Sequence, residues 1–107
     1  MEIEEQPGYL RWFKKLRKVD KSIVLMYVVK LSNVENHKPP LVKPLGGGLF
    51  ELRFTLNKAG QRITFIKHKN KVVLLTHFKK SKQKETQKIL DAQKAAKNYL
   101  NQAVKEN

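Results

Sequence analysis

The chain has 107 residues, with 23 Lys and Arg against 9 Asp and Glu, a formal net charge of +14 and a pI near 10.2. That length supports one domain, residues 1–107, around one core, and a hydrophobic content of 40% favours folding over disorder. The absence of cysteine rules out disulfides and thiolate metal sites, with only His37, His68 and His77 a histidine-built zinc centre is not expected, and the longest apolar run, Ile23 to Val29, is too short to span a membrane. The acidic start Met-Glu-Ile-Glu-Glu has neither the basic nor the apolar region of a signal peptide, so a soluble cytoplasmic protein is expected. The charge favours polyanionic partners, nucleic acid first. Lysine outnumbers arginine 19 to 4, so part of the charge is also readable as solvated surface, and a ribosome-binding or membrane-surface protein fits the same total.

In chain order, residues 1–5 read as a short strand and Pro7-Gly8 as a turn. Tyr9 to Lys18 reads as a helix with Leu10, Phe13 and Leu16 on one face. Asp20 is placed to cap a second helix over Lys21 to Val34, whose apolar face includes Val24, Tyr27, Val28, Leu31 and Val34. So short a link predicts an antiparallel helical hairpin. Residues 35–48, with Pro39, Pro40, Pro44 and three glycines, read as loop. Leu49 to Leu56 alternates Phe50, Leu52, Phe54 and Leu56 against Glu51, Arg53 and Thr55, which predicts a strand. Gly60 is assigned to the turn into a second strand, Gln61 to Lys67, and Asn70 to the turn into a third, Lys71 to His77. The third is apolar on both faces, as a central strand would be. A last helix is expected from about Gln83 or Glu85 to Val104. The fold class is therefore α+β: a small antiparallel sheet of three to four strands with an N-terminal helical hairpin and a C-terminal helix. One sheet face should pack on the hairpin and the other, bearing Arg53, Arg62 and Thr64, should be free to line a groove.

Arg53 and Arg62 lie mid-strand on the face away from the core. Arginine presents a planar, permanently charged fork suited to phosphate and to the charge that develops on phosphorus during cleavage. A cross-strand ion pair, for instance Glu51 with Arg62, accounts for the same pattern without chemistry. Lys67 to Lys84 holds seven lysines, two histidines and no acid. Lys79, Lys80, Lys82 and Lys84 crowd the end of the last strand and together could seat a phosphate backbone; singly, each is an ordinary surface lysine. Lys67 precedes this group, and Lys43 opens the Gly-rich loop Lys43 to Gly48, which lacks the P-loop pattern and precedes a strand rather than a helix. His77 is either a general acid or base or a structural strand-end residue, and His68 either touches nucleic acid or lies on the surface. Phe78 could stack a base or pack at the core edge. No paired carboxylates, Ser-His-Asp set or nucleotide fingerprint is present. A cationic site of this kind suits RNA, whose 2′-hydroxyl is an internal nucleophile that needs no metal.

Taken together, Lys43-Pro-Leu-Gly-Gly-Gly-Leu-Phe-Glu-Leu-Arg53, Gln61-Arg-Ile-Thr-Phe65 and Val73-Leu-Leu-Thr-His-Phe-Lys-Lys80 resemble the toxins of the RelE/ParE superfamily, in its HigB-like, phage-derived branch. Tyr9-Leu-Arg-Trp-Phe-Lys-Lys-Leu16 looks like the family's first helix, and the resemblance covers about Tyr9 to Leu100. It implies a toxin of a type II toxin–antitoxin pair that cleaves mRNA, usually on the ribosome, by 2′-hydroxyl attack and without a cofactor. The implied partners are an adjacently encoded antitoxin, acidic or helix-turn-helix, the mRNA and ribosome, and operator DNA through the antitoxin. Carried over by motif, Arg53 and Arg62 match the strand arginines, and Lys79 and Lys80 match the basic pair after the final strand. His77 occupies a position that is often His or Gly in the family. The chain departs from many relatives in lacking Thr-Gln-Lys-Thr-Pro after the last strand. Two alternatives come with this reading: a ParE-like gyrase inhibitor without nuclease activity, and a non-catalytic basic RNA- or ribosome-binding module.

Overall fold

The computed structural model describes residues 1–83 and 85–105. Its elements run β1 (Glu2–Glu5), α1 (Pro7–Lys14), α2 (Lys18–Val29), two short 3-10 turns, β2 (Val42–Gly46), β3 (Leu49–Leu56), β4 (Ala59–His68), β5 (Lys71–Lys79) and α3 (Thr86–Lys105). The strands form one mixed sheet in the order β1-β5-β4-β3-β2, with β1 parallel to β5 and the other pairs antiparallel. The class is α+β as expected. The sheet gains two edge strands over the three central ones because β1 and β2 both find partners.

β2 overturns the loop assigned to residues 35–48. Pro44 does sit in this strand, but β2 is an edge, where a missing N–H costs no ladder hydrogen bond. Gly46, Gly47 and Gly48 all have positive φ (97°, 60° and 84°) and turn the chain back into β3. The β3–β4 turn falls at Asn57-Lys58, both with positive φ as a two-residue hairpin of matching twist requires, so Gly60 lies inside β4 rather than in the turn. Lys69-Asn70 makes the same kind of turn into β5.

The helical hairpin forms, with shifted ends. Pro7 is not part of a turn before the helix. It stands in the first turn of α1, where the absent N–H would be unpaired anyway. Gly8 follows because α1 lies directly on β5: a Cβ at this position would be 2.6 Å from the Leu75 carbonyl oxygen. Asp20 is not the cap of α2. It sits within the first turn, buried, where Arg17 Nε donates to its Oδ2 at 3.0 Å. α2 ends at Val29, and 3-10 turns at Lys30–Ser32 and Val34–Asn36 replace its expected last turn, with the Asn33 side chain accepting from the Glu35 N–H.

The two faces of the sheet carry separate cores. Toward the hairpin lie Leu52, Phe54, Leu56, Ile63, Phe65, Val72 and Leu74, packed on Tyr9, Val24, Val28 and Leu31. Toward α3 lie Leu49, Ile66, Val73 and Leu75, packed on Ala92 and flanked by Ile89, Ala95, Ala96 and Tyr99. Central β5 supplies both cores, which explains its unbroken Val-Val-Leu-Leu. The second face is therefore not free along its length. α3 covers the end bearing Leu49, Ile66 and Val73, and the polar half remains for a site.

Candidate active site

Three strands place the site by register. Lys43 of β2 pairs with Glu51 of β3, and Glu51 pairs with Thr64 of β4. One step along, Arg53 pairs directly with Arg62. Side chains opposite each other in neighbouring strands share a face, so Lys43, Glu51, Arg53 and Arg62 converge. Two guanidinium groups side by side would repel, and Glu51 answers that repulsion. Its Oε1 is 3.7 Å from Arg62 Nε and 3.8 Å from Arg53 Nε. These are ion pairs too long for hydrogen bonds. Arg62 donates instead from Nη1 to the Gln61 carbonyl at 2.9 Å, and Arg53 Nε is buried with no hydrogen-bond partner.

Lys80 completes the group. Its N–H donates to the Gly60 carbonyl at 2.9 Å, and its side chain runs over Gly60, where an added Cβ would lie 3.1 Å from Lys80 Cβ and 3.6 Å from Arg62 Nη1. Gly60 thus keeps open the space in which Lys80 and Arg62 approach each other. The Glu51 and Arg62 side chains are each 8% exposed and that of Arg53 is 35% exposed, so Arg53 is the face that the cluster shows to solvent. Burial pushes the Glu51 carboxyl above its usual range. Arg62, Arg53 and Lys43 oppose the rise, and Glu85 adds to it. A carboxylate so placed can accept a proton while the cations around it hold a phosphate.

The remaining expected site residues fall elsewhere. His77 pairs with Ile63 on the hairpin face of the sheet, opposite to the arginines. Its ring stacks on Trp12 at 3.7 Å and 6°, and its Nε2–H donates to Gln61 Oε1 at 2.6 Å. Burial, then Lys79 and Lys88, lower its pKa to about 4, so it is neutral at pH 7. Strand alternation, which sends residues 77 and 78 to opposite faces, separates it from the cluster. Lys79 pairs with Gln61 and belongs with His77. Lys67 also lies away from the arginines, with its Nζ 4.7 Å over the Phe50 ring. Lys82 is exposed in the connection to α3, and Lys84 lies outside the described residues. Phe78 is buried beside Arg62 and offers no face to a base, while His68 meets Tyr99 edge-on at 5.8 Å. Among the described residues, no three His, Asp or Glu side chains converge as a metal site requires. Glu51 is the site residue that its own motif, Phe-Glu-Leu-Arg, signalled only as an ion-pair partner. The clue lay in its parity, because it is an acid on the cationic face of a strand in a chain with 9 acids.

A helical hairpin on one face of this sheet and a C-terminal helix on the other make the fold of the RelE toxins. The isolated E. coli RelE toxin superposes with a TM-score of 0.57 at 14% identity, covering 83% of this chain and 94% of RelE. The matching chain in the crystal structure of the intact E. coli RelBE toxin–antitoxin complex gives 0.56 at 14% identity, covering 76% of this chain and 98% of its own length. At the sequence level, residues 11–99 match the model of a family described as phage derived protein Gp49-like (DUF891), and the chain belongs to this family of RelE-like toxins. No curated protein sequence matches it.

Proposed function

We propose that this protein is the toxin of a type II toxin–antitoxin system, HigB-like, and that it cleaves mRNA, with the ribosome presenting the message. The observation that carries the reading is the convergence of Arg53, Arg62 and Lys43 around one buried carboxylate, Glu51, with Lys80 running over Gly60 on the Arg62 side. The scissile phosphate meets Arg53 first. The long Arg53–Glu51 pair exchanges for phosphate, which frees the carboxylate. Glu51 takes the proton of the 2′-hydroxyl, the 2′-oxygen bonds to phosphorus, and the bond from phosphorus to the 5′-oxygen breaks. Arg53 and Arg62 stabilise the charge that accumulates on the phosphoryl oxygens. Lys80 supplies the proton to the departing 5′-oxygen. The products are a 2′,3′-cyclic phosphate and a 5′-hydroxyl, and neither a metal nor a cofactor takes part. The partners of the reading are mRNA, the ribosome and an adjacently encoded antitoxin, through which the complex reaches operator DNA.

Growth arrest on induction tests the assignment. Arg62→Ala and Lys80→Ala should each abolish arrest while the purified variants keep the wild-type circular dichroism spectrum. Arrest that survives both changes refutes the site. Arrest with intact mRNA and DNA-damage signalling would assign the toxicity to gyrase instead.

A further inference from the structure

The outward face of α2 is apolar without being covered. Val19, Leu25, Met26 and Val29 are 48–64% exposed, and Val34 just beyond the helix is similarly open. At about 100° per residue, Val19, Ser22, Leu25, Met26 and Val29 fall on one arc of the helix, opposite the buried Val24 and Val28. Isolated exposed apolar residues are ordinary, but four on one stripe of a single helix mark a contact surface. Val19, Ser22, Met26 and Val29 are also spaced three, four and three apart, the spacing that seats the side chains of a second helix.

The charges around the stripe select its occupant. Lys18 stands at one end and Lys30 at the other, with Lys21 beside it. Lys21 Nζ is held 5.8 Å from the Phe13 ring centroid and Lys30 Nζ 5.1 Å from that of Tyr27. The single acid of α2, Asp20, is buried and paired with Arg17, so the helix offers no exposed negative charge. A second copy of this chain would bring Lys18 and Lys30 against their own kind, with +14 on each side. We propose that the Val19–Met26–Val29 stripe of α2 docks an amphipathic helix of an acidic partner protein, with apolar residues in the seam and carboxylates over Lys18 and Lys30.

The inference rests on the toxin reading only for its probe, the antitoxin which that reading expects to be encoded beside this chain. Calorimetric titration of that protein into wild type, Met26→Lys/Val29→Lys and Lys18→Glu/Lys30→Glu is the test. The seam variant should lose at least 30-fold in affinity with its melting temperature and its RNA cleavage unchanged, because neither residue belongs to the arginine cluster. The charge variant should lose several-fold and show a weaker dependence on salt. Affinities within threefold of wild type in the seam variant, or no binding by the wild type, overturn the proposal. Cleavage of ribosome-bound message by each protein without the partner reports separately on the toxin reading.

Discussion

A carboxyl group buried between two guanidinium groups is pulled two ways. Loss of water favours its neutral form, and the neighbouring cations favour its charged form. At Glu51 burial prevails and the carboxyl rises above its ordinary range. A proton acceptor with a raised pKa is a stronger base than a solvated glutamate. Cleavage should therefore fall as pH is lowered through a value above that of a free glutamate. Glu51→Gln should lose about 10²–10⁴-fold in rate, the usual contribution of a general base, and should lose that acid limb as well. A pH–rate profile of the variant that keeps the wild-type limb would remove Glu51 from the role.

His77 gives the opposite prediction. Its pKa is lowered to about 4 in the folded protein, against 6.5 in the unfolded chain. The folded state thus prefers the neutral ring, and the stability this provides is complete above pH 6.5 and lost as the pH falls from 6.5 through 4. The loss amounts to roughly 3 kcal/mol at most. Urea unfolding of wild type and His77→Gln at several pH values should show this component in the wild type alone. Cleavage by His77→Gln should stay within threefold of wild type, since the ring lies under Trp12 on the far face of the sheet. A collapse of activity with the fold intact would restore His77 to the chemistry.

The central elements of the fold were legible because their patterns are periodic. β3 to β5 follow from alternation, and the two-sided apolar run of β5 follows from its place between β1 and β4, with a core on each face. What was not legible depended on contacts distant in sequence. β2 was hidden by Pro44 and three glycines, and became a strand only because β3 offered an edge on which the proline is harmless. Pro7-Gly8 resembled a turn, but Gly8 is required by the closeness of α1 to β5. Gly8→Ala would place a Cβ 2.6 Å from the Leu75 carbonyl oxygen and should destabilise the protein by about 1–3 kcal/mol, as overpacking does. The Asn57-Lys58 turn makes a converse prediction. Lys58 holds a φ of 66°, which glycine adopts at no steric cost, so Lys58→Gly should stabilise by about 0.5–1 kcal/mol in thermal unfolding. The site was partly legible in the same way. Alternation placed Arg53 with Arg62, and it also sent His77 and Lys79 to the other face, a consequence visible only once the register of β4 and β5 was known.

At the scale of the whole molecule, the net charge of +14 sets how the protein meets its target. Much of that charge is surface lysine distant from the cluster, and it raises the local concentration of any polyanion without selecting a bond to cut. The cluster on the polar half of the sheet adds geometry to that attraction. With about five phosphate contacts on a single strand, log K for RNA binding should fall with log salt at a slope near −3.5. On the proposed function, Arg62→Ala should lessen that slope by less than one unit while it removes cleavage, because one cation in five would contribute to binding and the same cation would face the developing charge.

Whether the arginine cluster cuts RNA is tested most directly by primer extension on a defined message with purified protein. The reactions are run with and without 70S ribosomes, beside Arg62→Ala. Discrete cuts that require both the ribosome and Arg62 are expected. A message left intact by the wild-type protein on ribosomes would contradict this and would return Arg53 and Arg62 to the role of a cross-strand ion pair with Glu51.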